Sequence, residues 1–75
     1  MIEGKTTYSV IIPAYNAART VVRAMNSAVL QTYPPSEIII IDDCSQDNTI
    51  EVVEEFIPQN RSIKIKLIKF LKPLL

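Results

Sequence analysis

Hydrophobic and polar positions along this chain follow two periods, and the changes of period mark its elements. Thr7-Tyr8-Ser9-Val10-Ile11-Ile12 carries the β-branched and aromatic bias of a strand. Pro13 cannot donate to a ladder, so this first strand is predicted to end there. Ala14-Tyr15-Asn16-Ala17 reads as a loop, with the Asn16 side chain placed to cap the next helix. Val21, Met25, Ala28 and Val29 recur at helical spacing while Arg19, Arg23 and Asn26 fall off that stripe, which predicts a helix over residues 18–31. Thr32-Tyr33-Pro34-Pro35 ends it, because proline blocks continuation and holds its predecessor extended.

The pattern then changes character. Four consecutive isoleucines, Ile38 to Ile41, show no alternation, the signature of a central parallel strand covered on both faces. The run stops at two adjacent carboxylates, Asp42 and Asp43, and strand ends of this kind are where open α/β sheets bind ligands. After the turn Cys44-Ser45-Gln46 a second helix starts near Asp47 or Asn48, either of which can cap it. Ile50, Val53, Phe56 and Ile57 form its apolar stripe, with Glu51, Glu54 and Glu55 toward water. Pro58-Gln59-Asn60 breaks it. Ile63, Ile65 and Leu67 alternate with Lys64 and Lys66, so residues 62–70 read as an edge-like strand with one wet face.

The order is therefore β-α-β-α-β in one small α/β domain with a three-stranded parallel sheet. Two right-handed crossovers in one direction put both helices on the same side of the sheet. The isoleucine run asks for cover on both sides, so the other face is expected to drive self-association or to receive a further layer.

Composition narrows the chemistry. Eight basic residues balance eight acidic ones and histidine is absent, so no electrostatic attraction to nucleic acid is implied. Without histidine or a cysteine cluster the usual zinc sites are excluded, whereas a carboxylate site for a hard cation is not. Cys44 stands alone, has no histidine to activate it, and fits a reducing compartment. The beginning of the chain has no apolar signal core, and no run is long enough to cross a bilayer; the expected location is cytoplasmic, with residues 1–7 frayed.

Three blocks carry a resemblance: Ser9-Val10-Ile11-Ile12-Pro13-Ala14-Tyr15-Asn16, Ser27-Ala28-Val29-Leu30-Gln31-Thr32-Tyr33-Pro34, and Glu37-Ile38-Ile39-Ile40-Ile41-Asp42-Asp43-Cys44-Ser45-Gln46-Asp47-Asn48-Thr49. In this order and spacing they closely resemble the start of the family 2 glycosyltransferases, over residues 8–70. The resemblance implies the nucleotide-binding half of a GT-A fold, a Rossmann-like α/β sandwich, and a nucleotide-sugar donor, usually UDP-linked. It implies that Pro13, Ala14 and Tyr15 line the base and ribose pocket, with the Tyr15 ring against uracil. Asp43 would accept from the base imide, and Asp42 would support the turn or take that role itself. A carboxylate suits the task because it is a pure acceptor and uracil N3–H is a donor.

The family also uses a later Asp-x-Asp segment to hold Mg or Mn on the diphosphate, and a further carboxylate as general base. Neither is found in this sequence, and residues 71–75 depart from the family pattern. The chain alone is thus expected to bind nucleoside weakly, to hold no metal and not to turn over.

Other readings compete with this one. A non-catalytic self-associating module, or the relic of a truncated gene, would share the same fold. A phospho-receiver domain also presents an acidic pair at a strand tip, but it needs a further aspartate after a later strand, where this chain reads Phe70-Leu71-Lys72. A dinucleotide-binding turn cannot be built with Gly4 as the only glycine.

Overall fold

A computed structural model describes residues 7–72. Of the lead expected to be frayed at residues 1–7, residues 1–6 lie outside the described residues, as do residues 73–75 of the divergent end at residues 71–75. The elements are β1 (Ser9–Ala14), α1 (Ala18–Val29), β2 (Glu37–Asp43), α2 (Thr49–Phe56) and β3 (Lys64–Phe70), with one 3-10 turn, Ile57–Gln59, after α2. The strands are parallel in the order β1-β2-β3, so the isoleucine run is the central strand.

Alternation along β2 sets the layers. Ile38, Ile40 and Asp42 are fully buried, while Ile39, Ile41 and Asp43 are half-buried on the other face. The inward isoleucines meet Val21, Met25 and Ala28 of α1 and Val53 of α2, closing a core with Ala14 and Ile63. Both helices lie on this one side and pack against each other. In α1 the inward positions fall at the i, i+4, i+7 spacing that lays a stripe along one helix face.

β1 starts at Ser9 rather than Thr7 and β3 at Lys64 rather than Ser62, and three other boundaries also differ from the sequence expectation. β1 runs through Pro13 to Ala14, with Pro13 opposite Ile41. This is tolerated because β1 is an edge strand, where a missing donor need not cost a ladder bond. α1 ends at Val29 rather than Gln31: the Gln31 side-chain amide instead donates to the Ser27 carbonyl at 3.1 Å. In α2 the helical pattern stops at Phe56, and Pro58 is accommodated in the 3-10 turn. Asn60 closes that end, its side chain donating to the Phe56 carbonyl at 3.0 Å.

The face away from the helices carries Ile11, Pro13, Ile39, Ile41, Ile68 and Phe70, and no described element packs on it. Ile11 is 60% exposed and Ile68 44%. Polar residues occupy its N-terminal end, where the Ser9 hydroxyl donates to Glu37 at 2.8 Å and Lys66 approaches Glu37 at 3.7 Å. The Ser9 hydrogen bond, helped by Lys66 and Lys64, holds the Glu37 carboxyl below its ordinary value against the opposing effect of burial. Among the described residues no helix is long and apolar enough to cross a membrane.

The central strand should therefore dominate stability. Ile40→Ala is expected to cost about 2–5 kcal/mol in urea denaturation, the range for emptying a buried aliphatic site. Leu30→Ala, at an 80% exposed position, should stay within about 0.5 kcal/mol. Equal effects at the two positions would contradict this placement of the core.

Candidate functional site

Parallel pairing puts the C-terminal tips of β1 and β2 side by side, because Ala14 lies opposite Asp42. Each tip runs directly into a bend containing a residue in the left-handed region, Asn16 at φ 47 and Cys44 at φ 60. Asparagine visits this region more readily than most residues. Cysteine has no such preference, and its position is secured by its surroundings: the Cys44 thiol donates to the Phe70 carbonyl at the end of β3, 3.0 Å away. Burial, reinforced by Asp43 and Asp42, pushes the thiol pKa up, so Cys44 is a protonated donor and a poor nucleophile.

The two bends are laced together. The Asn16 side-chain oxygen accepts from the Gln46 amide at 2.7 Å and the Asp47 amide at 3.3 Å. In return the Asn16 amide donates to the Ser45 hydroxyl oxygen at 2.9 Å. One step along, the Ala17 amide donates to the Thr49 hydroxyl oxygen at 2.9 Å. Asn16 is thus not the cap of α1: the position before that helix is Ala17, which makes no side-chain cap bond, and Asn16 turns its acceptor toward the other loop. Asn48 precedes α2 without capping it through its side chain. Asp47 serves that helix start instead, accepting from the Thr49 amide at 2.9 Å and from the Thr49 hydroxyl.

Adjacent carboxylates part ways here. Asp42 is fully buried on the helix side, and its two oxygens accept from Ser45, one from the amide at 3.0 Å and one from the hydroxyl. It therefore supports the turn. Asp43, half-buried, lies on the opposite face at the same end, the face that also carries Pro13. Ala14 is buried beside Asp42, whereas Tyr15, the next residue, is 59% exposed. All five sequence candidates, Pro13, Ala14, Tyr15, Asp42 and Asp43, thus sit at one end of the sheet, with Asp42 and Ala14 turned inward. What the sequence reading missed is the lace of Asn16, Ser45, Asp47 and Thr49. Its only signal was the density of turn-forming side chains after each strand, which does not say that one loop bonds the other.

A metal site does not follow from this arrangement. Among the described residues no group of three His, Cys, Asp or Glu side chains comes together, and the Asp42 oxygens are committed to Ser45. The described residues do not fit the divalent cation that the resemblance implies for the complete domain.

Residues 9–71 match the sequence profile of Glycosyl transferase family 2. The chain belongs to this family. Its relatives include the poly(ribitol-phosphate) β-N-acetylglucosaminyltransferase TarS of Staphylococcus aureus strain Mu50, 37% identical over 51 residues, which are 65% of this chain and 9% of TarS. Glycosyltransferase AglE of Haloferax volcanii is 44% identical over 64% of the chain and 16% of its own length. The Bacillus subtilis protein TuaG, described as a putative teichuronic acid biosynthesis glycosyltransferase, is 38% identical over 75% of the chain and 22% of its own length. The crystal structure of TarS residues 1–349 superposes with a TM-score of 0.75 at 28% identity, covering 91% of this chain and 20% of that one, and the same match holds for its complex with UDP. The chain thus has the β-α-β-α-β fold of family 2 glycosyltransferases and spans a small part of each of these relatives.

One pH dependence follows from the lace. The Thr49 hydroxyl, with the amides of Thr49 and Ala18, holds the Asp47 carboxyl below its ordinary value. Its contribution to stability is complete above the unfolded value of about 3.9 and is lost as pH falls through the lower, folded value. The thermal midpoint should fall on acidification below about pH 4. Asp47→Asn keeps the acceptor oxygen without the charge and should flatten part of that fall. A profile superimposable on wild type would remove Asp47 from this account.

Proposed function

We propose that this chain forms the nucleoside-binding edge of a glycosyltransferase that uses a nucleotide-sugar donor, with UDP as the nucleotide. One observation carries the reading: at the C-terminal end of the sheet an exposed tyrosine follows β1 while β2 ends in one inward and one outward carboxylate. Asp42, committed to Ser45, builds the turn, and Asp43 is the carboxylate that meets the base. Uracil then stacks on Tyr15 over Pro13, with the inward-turned Ala14 offering only its main chain, and donates its N3–H to Asp43. The UDP complex of TarS supports the choice of nucleotide, since that structure aligns with 91% of this chain.

In the complete enzyme this edge orients the donor, and sugar transfer requires groups that the described residues do not supply. A divalent cation, Mg or Mn, would neutralise the leaving diphosphate when bound. The residues of this chain position the base and leave charge stabilisation at the diphosphate to other groups.

The reading makes a base-specific prediction. Cytosine N3 is an acceptor and would face the Asp43 carboxylate lone pairs, so the chain should bind UDP more tightly than CDP in NMR titrations. Asp43→Ala should weaken UDP about 10- to 100-fold, the scale of a hydrogen bond to a charged group, and should erase the preference. Identical spectra with and without UDP would end the proposal.

The outward sheet face supports a second property, pairing with another copy of this chain. Its apolar middle, Ile11, Ile39, Ile41 and Ile68, is a contiguous patch that a second copy would cover, with the charged Lys64, Lys66 and Glu37 at its margin. Sedimentation should show a dimer that Ile11→Glu dissociates, whereas a monomer at all concentrations would exclude it.

A further inference from the structure

We infer that Asn16 is a positioning residue for base recognition, setting the distance between the Tyr15 loop and the Asp43 loop. The inference rests on the nucleoside reading above and adds a residue that touches no ligand in it. Tyr15 and Asp43 come from separate loops, so pairing between β1 and β2 fixes them only as far as Ala14 and Asp42. Beyond that register the connection passes through Asn16, whose side chain accepts from the Gln46 and Asp47 amides while its own amide donates to Ser45. Ser45 in turn donates to buried Asp42, the neighbour of Asp43. A run of hydrogen bonds through the Asn16 main-chain amide therefore joins the residue after Tyr15 to the residue before Asp43, and the Asn16 side chain holds the β2 loop against it with two further bonds.

Asparagine suits the position on two counts. Its backbone stands at φ 47, a conformation that most side chains disfavour. Its amide oxygen reaches two successive backbone amides, which no hydroxyl-bearing side chain of shorter reach can do from the same Cα. Two properties are combined in one residue, and substitutions separate them. Asn16→Gly admits the same backbone conformation and removes the two side-chain bonds to Gln46 and Asp47, leaving the main-chain bond to Ser45 in place; Asn16→Asp keeps an acceptor of the same length and shape.

The test is the ratio of UDP to CDP affinity in the full chain, measured by NMR titration. The ratio is informative because an unfolded fraction lowers both affinities equally, whereas a misplaced Asp43 lowers the one that depends on N3–H. In Asn16→Gly the ratio should fall on the order of tenfold, the scale at which supporting hydrogen bonds act on a binding group. In Asn16→Asp it should stay within about threefold of wild type on the same scale. If Asn16→Gly does not fold, Asn16→Ser supplies the same measurement with a side chain too short for the amides. An unchanged ratio in the glycine or serine variant overturns the inference and leaves the nucleoside reading standing, as does failure of Asn16→Asp to preserve the ratio. Absence of UDP binding by wild type instead overturns the nucleoside reading, and the positioning role with it.

Discussion

Strand alternation at the end of β2 is the constraint on which the rest of the molecule depends. Successive side chains of a strand point to opposite faces, so Asp42 and Asp43 cannot share an environment. With Ile38 and Ile40 committed to the core, Asp42 has to follow them inward. A carboxyl group removed from water must find donors, and the chain supplies both from Ser45 three residues on. The turn that results brings the β2 loop back over the strand end, toward the loop leaving β1. Asp43 is left on the open face as a direct consequence.

Packing extends the same logic to the helices. Thr49 is fully buried at the start of α2, and its hydroxyl is satisfied on both sides, donating to Asp47 and accepting from the Ala17 amide before α1. Among the described residues no buried side-chain nitrogen or oxygen lacks a partner. A small core is thereby closed at one end by a polar layer that is fully bonded, and such a layer rigidifies only when every member is satisfied. This bonded layer lies at the end of the sheet where open parallel sheets place their ligands.

The large features were legible in the sequence because they rest on periodicity. Val21, Met25 and Ala28 mark α1 at helical spacing, Ile63, Ile65 and Leu67 mark β3 by alternation, and the isoleucine run marks the centre. Pro13 misled because its effect depends on strand position: only the sheet order makes β1 an edge strand, where a missing donor is harmless. Asn16 misled for a related reason. Local sequence suggests a cap, but its partners Gln46 and Asp47 are thirty and more positions away and become neighbours only through β1–β2 pairing. The order of Asp42 and Asp43 was legible in kind and not in role, since either could have pointed inward until the register was known.

Both loops at this edge hold left-handed bends without glycine, and the cost of doing so is met by side-chain bonds. The sole glycine of the chain, Gly4, is nowhere near them in sequence, so Cys44 carries a conformation that costs about 1–2 kcal/mol and Asn16 one that asparagine adopts more readily. Each is offset by bonds its own side chain makes, from Asn16 to the opposite loop and from Cys44 to the end of β3. A glycine at either place would relieve the strain and lose the side-chain bond, which widens the range of conformations open to the loop without removing its main-chain contacts. Side chains that both permit the bend and anchor it hold the two loops in one arrangement, and under the proposed nucleoside reading less of the binding energy is then spent on ordering them.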